Sequence, residues 1–177
     1  NPNDLLESDS QELYRIIQSL KEKKLINKFG VSLYETEKIN PMLSRFKIDI
    51  IQVPFNIIDR RILKNEFIDY IKDKKIEIHT RSTFLQGLLL MNSYERHSKF
   101  SKWKNIWNKF DEWTKDLKIS PLQACLGYVL SFPQIDKIIV GLDNNLQLLQ
   151  IFEVNKLIVD VPQSISRAFA GCTANVR

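Results

Sequence analysis

Apolar positions along this chain change period several times, and each change marks an element. Leu13, Ile16, Ile17 and Leu20 recur at helical spacing behind Ser10 or Asp9, either of which can cap a helix that ends in the Lys-rich run 21–24. Residues 28–33, KFGVSL, read as a short buried strand ending at a hydroxyl. Residues 35–45 read as a second helix, interrupted by Pro41. The run 48–54, IDIIQVP, is nearly continuous in apolar residues, as expected of a strand covered on both faces, and Gln52 is the polar group in its interior. A loop over 56–61 leads to an amphipathic helix over 62–73 with Leu63, Phe67, Tyr70 and Ile71 on one face.

The stretch 76–90, IEIHTRSTFLQGLLL, opens with the strand period of Ile76 and Ile78. It then breaks into a polar turn, Arg81-Ser82-Thr83-Phe84-Leu85-Gln86-Gly87, whose Gly allows backbone to approach a ligand closely. Residues 98–117 carry Phe100, Trp103, Trp107, Phe110, Trp113 and Leu117 at steps of three and four, an aromatic helix face that reads first as core. Ser120-Pro121 is a cap followed by a first-turn Pro, and that helix runs to Pro133. Residues 137–141 read as a fourth strand, and Asp143 or Asn144 can cap a last helix through Leu146, Leu149 and Phe152.

Helix and strand therefore alternate four times, which predicts an α/β fold of four parallel strands joined by helical crossovers. Each strand is followed by a polar or Gly-containing turn, where α/β folds place their chemistry. At 177 residues the chain is short for a closed eight-stranded barrel, and four such strands amount to half of one. The domain is expected over 1–160. The Ala/Gly-rich end, with RAFAGCTANVR over 167–177, is unlike the body and is expected to form a disordered or foreign tail over 161–177.

Composition narrows the function classes. With 44% hydrophobic and 27% charged residues the chain is of ordinary globular type, and no apolar run approaches the roughly 20 residues of a membrane helix. A net charge of +5 comes from scattered lysines rather than from a basic stripe interleaved with aromatics, so nucleic acid is not an expected partner. Cys125 and Cys172 form no metal-spaced pair, and His79 and His97 have no ligand-spaced companions. A reducing cytoplasm is the expected setting, with Cys125 a small core residue. The acidic, polar start resembles no signal peptide. It also lacks an initiator Met, which suggests a chain cut from something longer, with processing as the alternative.

FGVSLY (29–34), IDIIQVPFNIIDRR (48–61), RSTFLQGLLL (81–90) and SPLQACLGYVLSFPQIDKIIVGLDNNLQLLQ (120–150) resemble, in order and spacing, the second half of the aldo/keto reductase family. The resemblance implies the fifth to eighth strands of an eight-stranded α/β barrel that binds a nicotinamide dinucleotide, NADP(H) or NAD(H), at the carboxyl ends of its strands. It implies that Ser32 and Gln52 hold the nicotinamide carboxamide, although Leu33 replaces the family's Asn beside that Ser. Arg81 would stack on the nicotinamide or pair with phosphate, and Ser82, Phe84, Gln86 and Gly87 would line the pyrophosphate. Gly141 and Gln147 would face the adenosine. Asp143 stands where a 2′-phosphate would want a cation, which weakens the preference for NADPH and leaves NADH open.

In the family the acid–base tetrad of Asp, Tyr, Lys and His lies on the first half of the barrel, and its His often precedes an Asn-Pro. Here Asn1-Pro2 opens the chain. None of Tyr14, Tyr34, His79 or His97 matches that motif. The expected function is therefore NAD(P)H-dependent reduction of an aldehyde or ketone in the family, with this chain carrying the cofactor half and no tetrad residue. A non-catalytic dinucleotide-binding or interaction module is the alternative. The wording RS-x-FLQGLLL is similar to members found with bacterial surface-polysaccharide enzymes, which suggests a sugar-linked carbonyl substrate. Exposed half-barrel edges are expected to self-associate.

Overall fold

The computed structural model describes residues 5, 6 and 10–155. The capping Asp9, Cys172 and the expected tail over 161–177 lie outside the described residues. In order, the elements are α1 (Ser10–Glu22), β1 (Gly30–Ser32), α2 (Ile39–Leu43), β2 (Ile50–Pro54), α3 (Phe67–Asp73), β3 (Glu77–Arg81), α4 (Lys104–Asp116), α5 (Pro121–Leu130), β4 (Lys137–Ile138) and α6 (Asn145–Asn155). The strands form one sheet in the order β1-β2-β3-β4. The α/β alternation of four parallel strands with helices is the fold the periodicities predict.

Chain packing defines two compact units. Among the described residues, one takes those up to Pro54, Arg61–Thr80 and Gln134–Lys137, and the other takes Phe55–Arg60, Arg81–Pro133 and those from Ile138 to Asn155. The first unit is built on the sheet. β1 and β2 pair with Val31 opposite Ile51 and Ser32 opposite Gln52. Ile51, Val53, Ile71 and Ile78 are buried there, as the apolar strand runs require. Gly30 leaves no room for a side chain: a Cβ at this position would lie 2.6 Å from the Ile50 carbonyl oxygen.

The strand starts in this unit are joined by two carboxylates in the same way. Asp49 donates its N–H to the Phe29 carbonyl at 2.8 Å while its Oδ2 accepts the Phe29 N–H at 2.8 Å. Asp136 donates its N–H to the Ile78 carbonyl at 2.9 Å while its Oδ2 accepts the Ile78 N–H at 2.7 Å. Each carboxylate also takes a Lys from a neighbouring helix, Lys21 of α1 for Asp49 and Lys72 of α3 for Asp136. Burial disfavours both charges, but the lysine and backbone N–H bonds outweigh it and hold both carboxyls below their ordinary range.

The second unit is helical. The Ser120 hydroxyl accepts from the Gln123 N–H at 3.2 Å, and the Gln123 side chain accepts from the Ser120 N–H at 2.7 Å, so α5 starts with a reciprocal capping box before Pro121. Helix α5 packs on α4 and α6. The Phe55 ring lies tilted against Tyr128 and edge-on to Phe132, with ring centroids at 5.5 Å and 5.0 Å. Trp107 and Phe110 of α4 are buried, so that part of the aromatic face is core. Burial pushes the Cys125 thiol well above its ordinary pKa, and it pushes Tyr128 up to about 12.

Several elements are shorter than their periodicity predicts. The second helix shrinks to a 3-10 turn, Thr36–Lys38, and α2, with Pro41 in its first turn, where no N–H is needed. The helix expected over 62–73 breaks at Asn65 and Glu66, both left-handed with φ 53°, so only α3 is regular. The aromatic helix over 98–117 begins as a 3-10 turn, Ser98–Trp103. The fourth strand ends at Ile138 rather than at residue 141. Leu13 and Ile16 of α1 are 41% and 54% exposed, so of that stripe Ile17 is the buried member.

Two outcomes test this frame. Gly30→Ala should destabilise the protein by about 1–3 kcal/mol, measured by urea unfolding, because its methyl meets backbone rather than a movable side chain. The depressed carboxyls stabilise the folded state above their unfolded pKa and lose that contribution as pH falls through the lower, folded value. Asp49→Asn and Asp136→Asn should each lose about 1 kcal/mol near neutrality and flatten the fall in stability between about pH 5 and pH 3.

Candidate functional site

Ser32 is the last residue of β1 and lies in register with Gln52 of β2. The Ser32 hydroxyl donates to the Gln52 side-chain oxygen at 3.2 Å. The Leu33 N–H, one residue on, donates to the Gln52 backbone oxygen at 2.8 Å. Ser32 is exposed and Gln52 half-buried. The pair thus presents an amide and a hydroxyl side by side, donor and acceptor together. Leu33 is buried at 1% exposure, so it packs in the core and offers no polar contact.

The second unit contains the loop that follows β3. Arg81 is the final strand residue. Its carbonyl accepts the Phe55 N–H at 3.0 Å, and its guanidinium reaches the Ser82 hydroxyl at 3.4 Å. Ser82, Leu85, Gln86 and Gly87 all have positive φ, at 62°, 49°, 55° and 84°. Within this run the Leu85 N–H donates to the Ser82 carbonyl at 2.9 Å and the Leu88 N–H to the Leu85 carbonyl at 3.2 Å, so the loop folds as successive tight turns. Gln86 is exposed, Phe84 and Gly87 are half-buried, and the Thr83 hydroxyl is buried with no hydrogen-bond partner among the described residues. No helix follows β3 directly, because left-handed φ at three successive residues cannot propagate one.

Asn56 fixes the start of this loop. Its side-chain oxygen accepts the N–H groups of Ile58 and Asp59 at 2.9 Å and 2.8 Å, and its amide donates to the Ser82 carbonyl at 3.0 Å. The residue is fully buried. Reading 56–61 as a plain loop missed this role, although an Asn opening a loop is a residue that forms Asx-turns.

Gly141 is exposed in the connection after β4. Gln147 lies in the first turn of α6 and accepts the Asp143 N–H at 2.8 Å, while its own N–H donates to the Asn144 side chain at 3.0 Å. Its amide nitrogen also approaches the Asp143 carboxylate at 3.4 Å. Gln147 is therefore part of a helix-capping box, and any ligand contact it makes would share the side chain with that role.

Thus Ser32 and Gln52 are brought together in one unit. In the other, residues 81–87 are contiguous in one loop, and Gln147 sits with Asp143. The residues set apart from the tetrad have local partners: the Tyr14 hydroxyl accepts the Lys47 N–H at 2.9 Å, His79 meets Glu77 at 3.2 Å, and His97 caps the 3-10 turn ahead of α4. Among the described residues no group of three or more His, Cys, Asp or Glu could hold a metal ion. Likewise, no helix among them is long and apolar enough to cross a membrane. A shallow cleft of about 450 Å³, lined by residues such as Thr36, Ile39, Phe67 and Tyr70, holds none of the predicted site residues.

Four parallel strands alternating with helices, with polar loops at their carboxyl ends, define an α/β protein of the barrel-forming kind. The sequence profile of the aldo/keto reductase family matches residues 4–167, and the chain belongs to that family. It is 23% identical over 145 residues to the uncharacterized oxidoreductase YqkF of Bacillus subtilis, an alignment covering 77% of this chain and 47% of that protein. The fold matches the aldo-keto reductase AKR11C1 of Bacillus halodurans in its holo form, with a TM-score of 0.66 and 17% identity over 89% of this chain and 55% of that one. It also matches the thermostable aldo-keto reductase Tm1743, solved with the inhibitor epalrestat, with a TM-score of 0.63 and 15% identity over 89% of this chain and 53% of that one. The chain spans about half the length of these relatives.

One substitution tests the role of Asn56. Asn56→Asp keeps the acceptor for Ile58 and Asp59 but loses the donor to the Ser82 carbonyl. It should destabilise the protein by about 1–3 kcal/mol and speed hydrogen exchange in the loop, read by unfolding and by exchange mass spectrometry.

Proposed function

We propose that this chain supplies the dinucleotide-holding part of an aldo/keto reductase, an oxidoreductase acting on an aldehyde or ketone in a cytoplasmic setting. The observation that carries the reading is the Ser32–Gln52 pair, a hydroxyl and an amide in register on neighbouring strands. A carboxamide needs a donor and an acceptor side by side, and this pair offers both. When bound, a nicotinamide dinucleotide supplies the hydride that the side chains of proteins lack.

The chain's own residues would bind and orient it. Ser32 and Gln52 would hold the carboxamide. The left-handed loop, with Ser82, Phe84, Gln86 and Gly87, would offer N–H groups to the pyrophosphate, with Arg81 adding a cation. Gly141 and Gln147 would border the adenosine. The loop fits such a group because Gly87, at φ 84°, leaves its Cβ position open and the Thr83 hydroxyl is buried with no hydrogen-bond partner among the described residues. The tetrad that moves the proton is assigned to none of this chain's residues. In this reading it belongs to the part of an aldo/keto reductase barrel that the chain does not span.

A second reading, a non-catalytic interaction module, is favoured by the exposure of Leu146, Leu149 and Phe152 on α6, at 64%, 62% and 58%. Such surfaces, together with the edge strands β1 and β4, would also support self-association.

Titration of the chain with NADH and NADPH, read by calorimetry, tests the first reading. NADH is expected to bind at least as tightly as NADPH, because the Asp143 carboxylate beside Gln147 disfavours a 2′-phosphate. Asp143→Lys should shift the preference toward NADPH by about tenfold, or about 1.4 kcal/mol. Gln52→Ala should weaken both dinucleotides. Absence of binding by either one contradicts the assignment, and carbonyl reduction by the chain alone contradicts the placement of the tetrad elsewhere.

A further inference from the structure

We propose that Arg96 is a positioning residue for the loop 82–87: by clamping the far end of that loop's strap to α4, it holds the left-handed backbone in the shape a dinucleotide phosphate would meet. The inference rests on the dinucleotide reading above and assigns a role to a residue outside the loop itself.

The strap runs from Ser82 to Arg96 within the second unit. Its start is held by Asn56 through the Ser82 carbonyl. Its middle is plugged by Leu88 and Leu89, 5% and 0% exposed. Its end is held by the Arg96 fork, with Nη1 donating to Asp111 Oδ2 at 2.7 Å and Nη2 to Asp111 Oδ1 at 2.6 Å. The same Nη2 donates to the Met91 carbonyl at 2.9 Å, and the guanidinium lies 5.4 Å from the centroid of the Trp107 ring. The Arg96 side chain is 4% exposed, which is unusual for an arginine and requires this degree of pairing. Trp107 and Asp111 are four residues apart on α4, so one helix face supplies both the ring and the carboxylate.

The fixed points follow one another closely. The Leu90 N–H bonds the Gly87 carbonyl at 2.9 Å, and Met91, held by Arg96, comes next in the chain. The Glu95 N–H bonds the Asn92 carbonyl at 3.0 Å, and the Asn92 N–H bonds the Glu95 carboxylate at 2.8 Å, which closes the tip of the strap on itself. Between the anchors lie Leu85 and Gln86, non-glycine residues in left-handed conformation. Such residues keep an uphill backbone only where the surroundings over-determine it. Arg96 is the charged part of those surroundings, and lysine cannot replace it, because an ammonium lacks the planar fork that pairs both carboxylate oxygens while reaching a carbonyl.

The test compares the full chain with Arg96→Lys, Arg96→Ala and Asp111→Asn, using amide hydrogen exchange without ligand and calorimetric binding of NADH. In the variants, exchange over residues 83–91 should rise about tenfold while α5 stays unchanged. NADH affinity should fall about tenfold as the competent loop shape becomes a minority state, with Asp111→Asn intermediate. Unchanged exchange over 83–91 overturns the clamp. Exchange that rises in α5 as much as in the loop shows loss of overall stability instead, and also overturns it. Local loosening with NADH affinity within about twofold of the parent overturns the positioning role. If the parent chain binds no NADH, the dinucleotide reading fails and the positioning role fails with it, while the exchange data still decide whether Arg96 orders the strap.

Discussion

The sheet depends on two aspartates. Its strands have three, five, five and two residues, too few for ladder hydrogen bonds alone to specify the pairing of short parallel strands. Asp49 and Asp136 make up the deficit where the strands begin. Each exchanges a two-bond clip with a residue at the start of the neighbouring strand, through its own N–H and its carboxylate. Each also draws in a lysine from the helix that precedes that neighbouring strand. The pattern of lysine, strand and aspartate occurs once for β1 and β2 and again for β3 and β4, so the first unit contains two copies of one device. A carboxylate that accepts a strand N–H and an ammonium at once sets register and helix position together.

With the starts fixed in this way, the carboxyl ends are free to carry polar groups that a buried parallel sheet would otherwise exclude. Ser32 and Gln52 can face each other because the register that places Val31 opposite Ile51 places them opposite one another too. The close approach at Gly30 belongs to the same pairing. In the second unit, rigidity comes from side chains that satisfy loop backbone: Asn56 at the start of the strap and Arg96 at its end. A loop with several left-handed residues is uphill, and side-chain hydrogen bonds at both ends keep it in one shape.

Much of this was legible in the sequence, for identifiable reasons. Four apolar strand runs separated by helical periods were enough for the α/β alternation, and Ser120-Pro121 announced the start of α5, although not the reciprocal bond from Gln123. Helix lengths were not legible where the chain breaks at left-handed Asn65 and Glu66, since amphipathic spacing continues through the break. The clip residues were hidden because Asp49 sits in an apolar run and Asp136 in a connection, and what matters is which distant N–H each one meets. Asn56 and Arg96 were hidden for the same reason. Gln147 shows the opposite difficulty: its place matched a ligand contact, while the structure shows it capping α6. Family membership came from several short segments in order, which no single period or motif would have supplied.

The central proposal is that Ser32 and Gln52, paired in the first unit, contact a nicotinamide dinucleotide. The most direct measurement is the nuclear magnetic resonance spectrum of the nitrogen-labelled chain during addition of NADH. The account predicts that the Gln52 side-chain amide and the Ser32 backbone amide shift together with one saturating dependence. Shifts confined to the cleft around Thr36, Phe67 and Tyr70, or no shifts at any concentration, would contradict it.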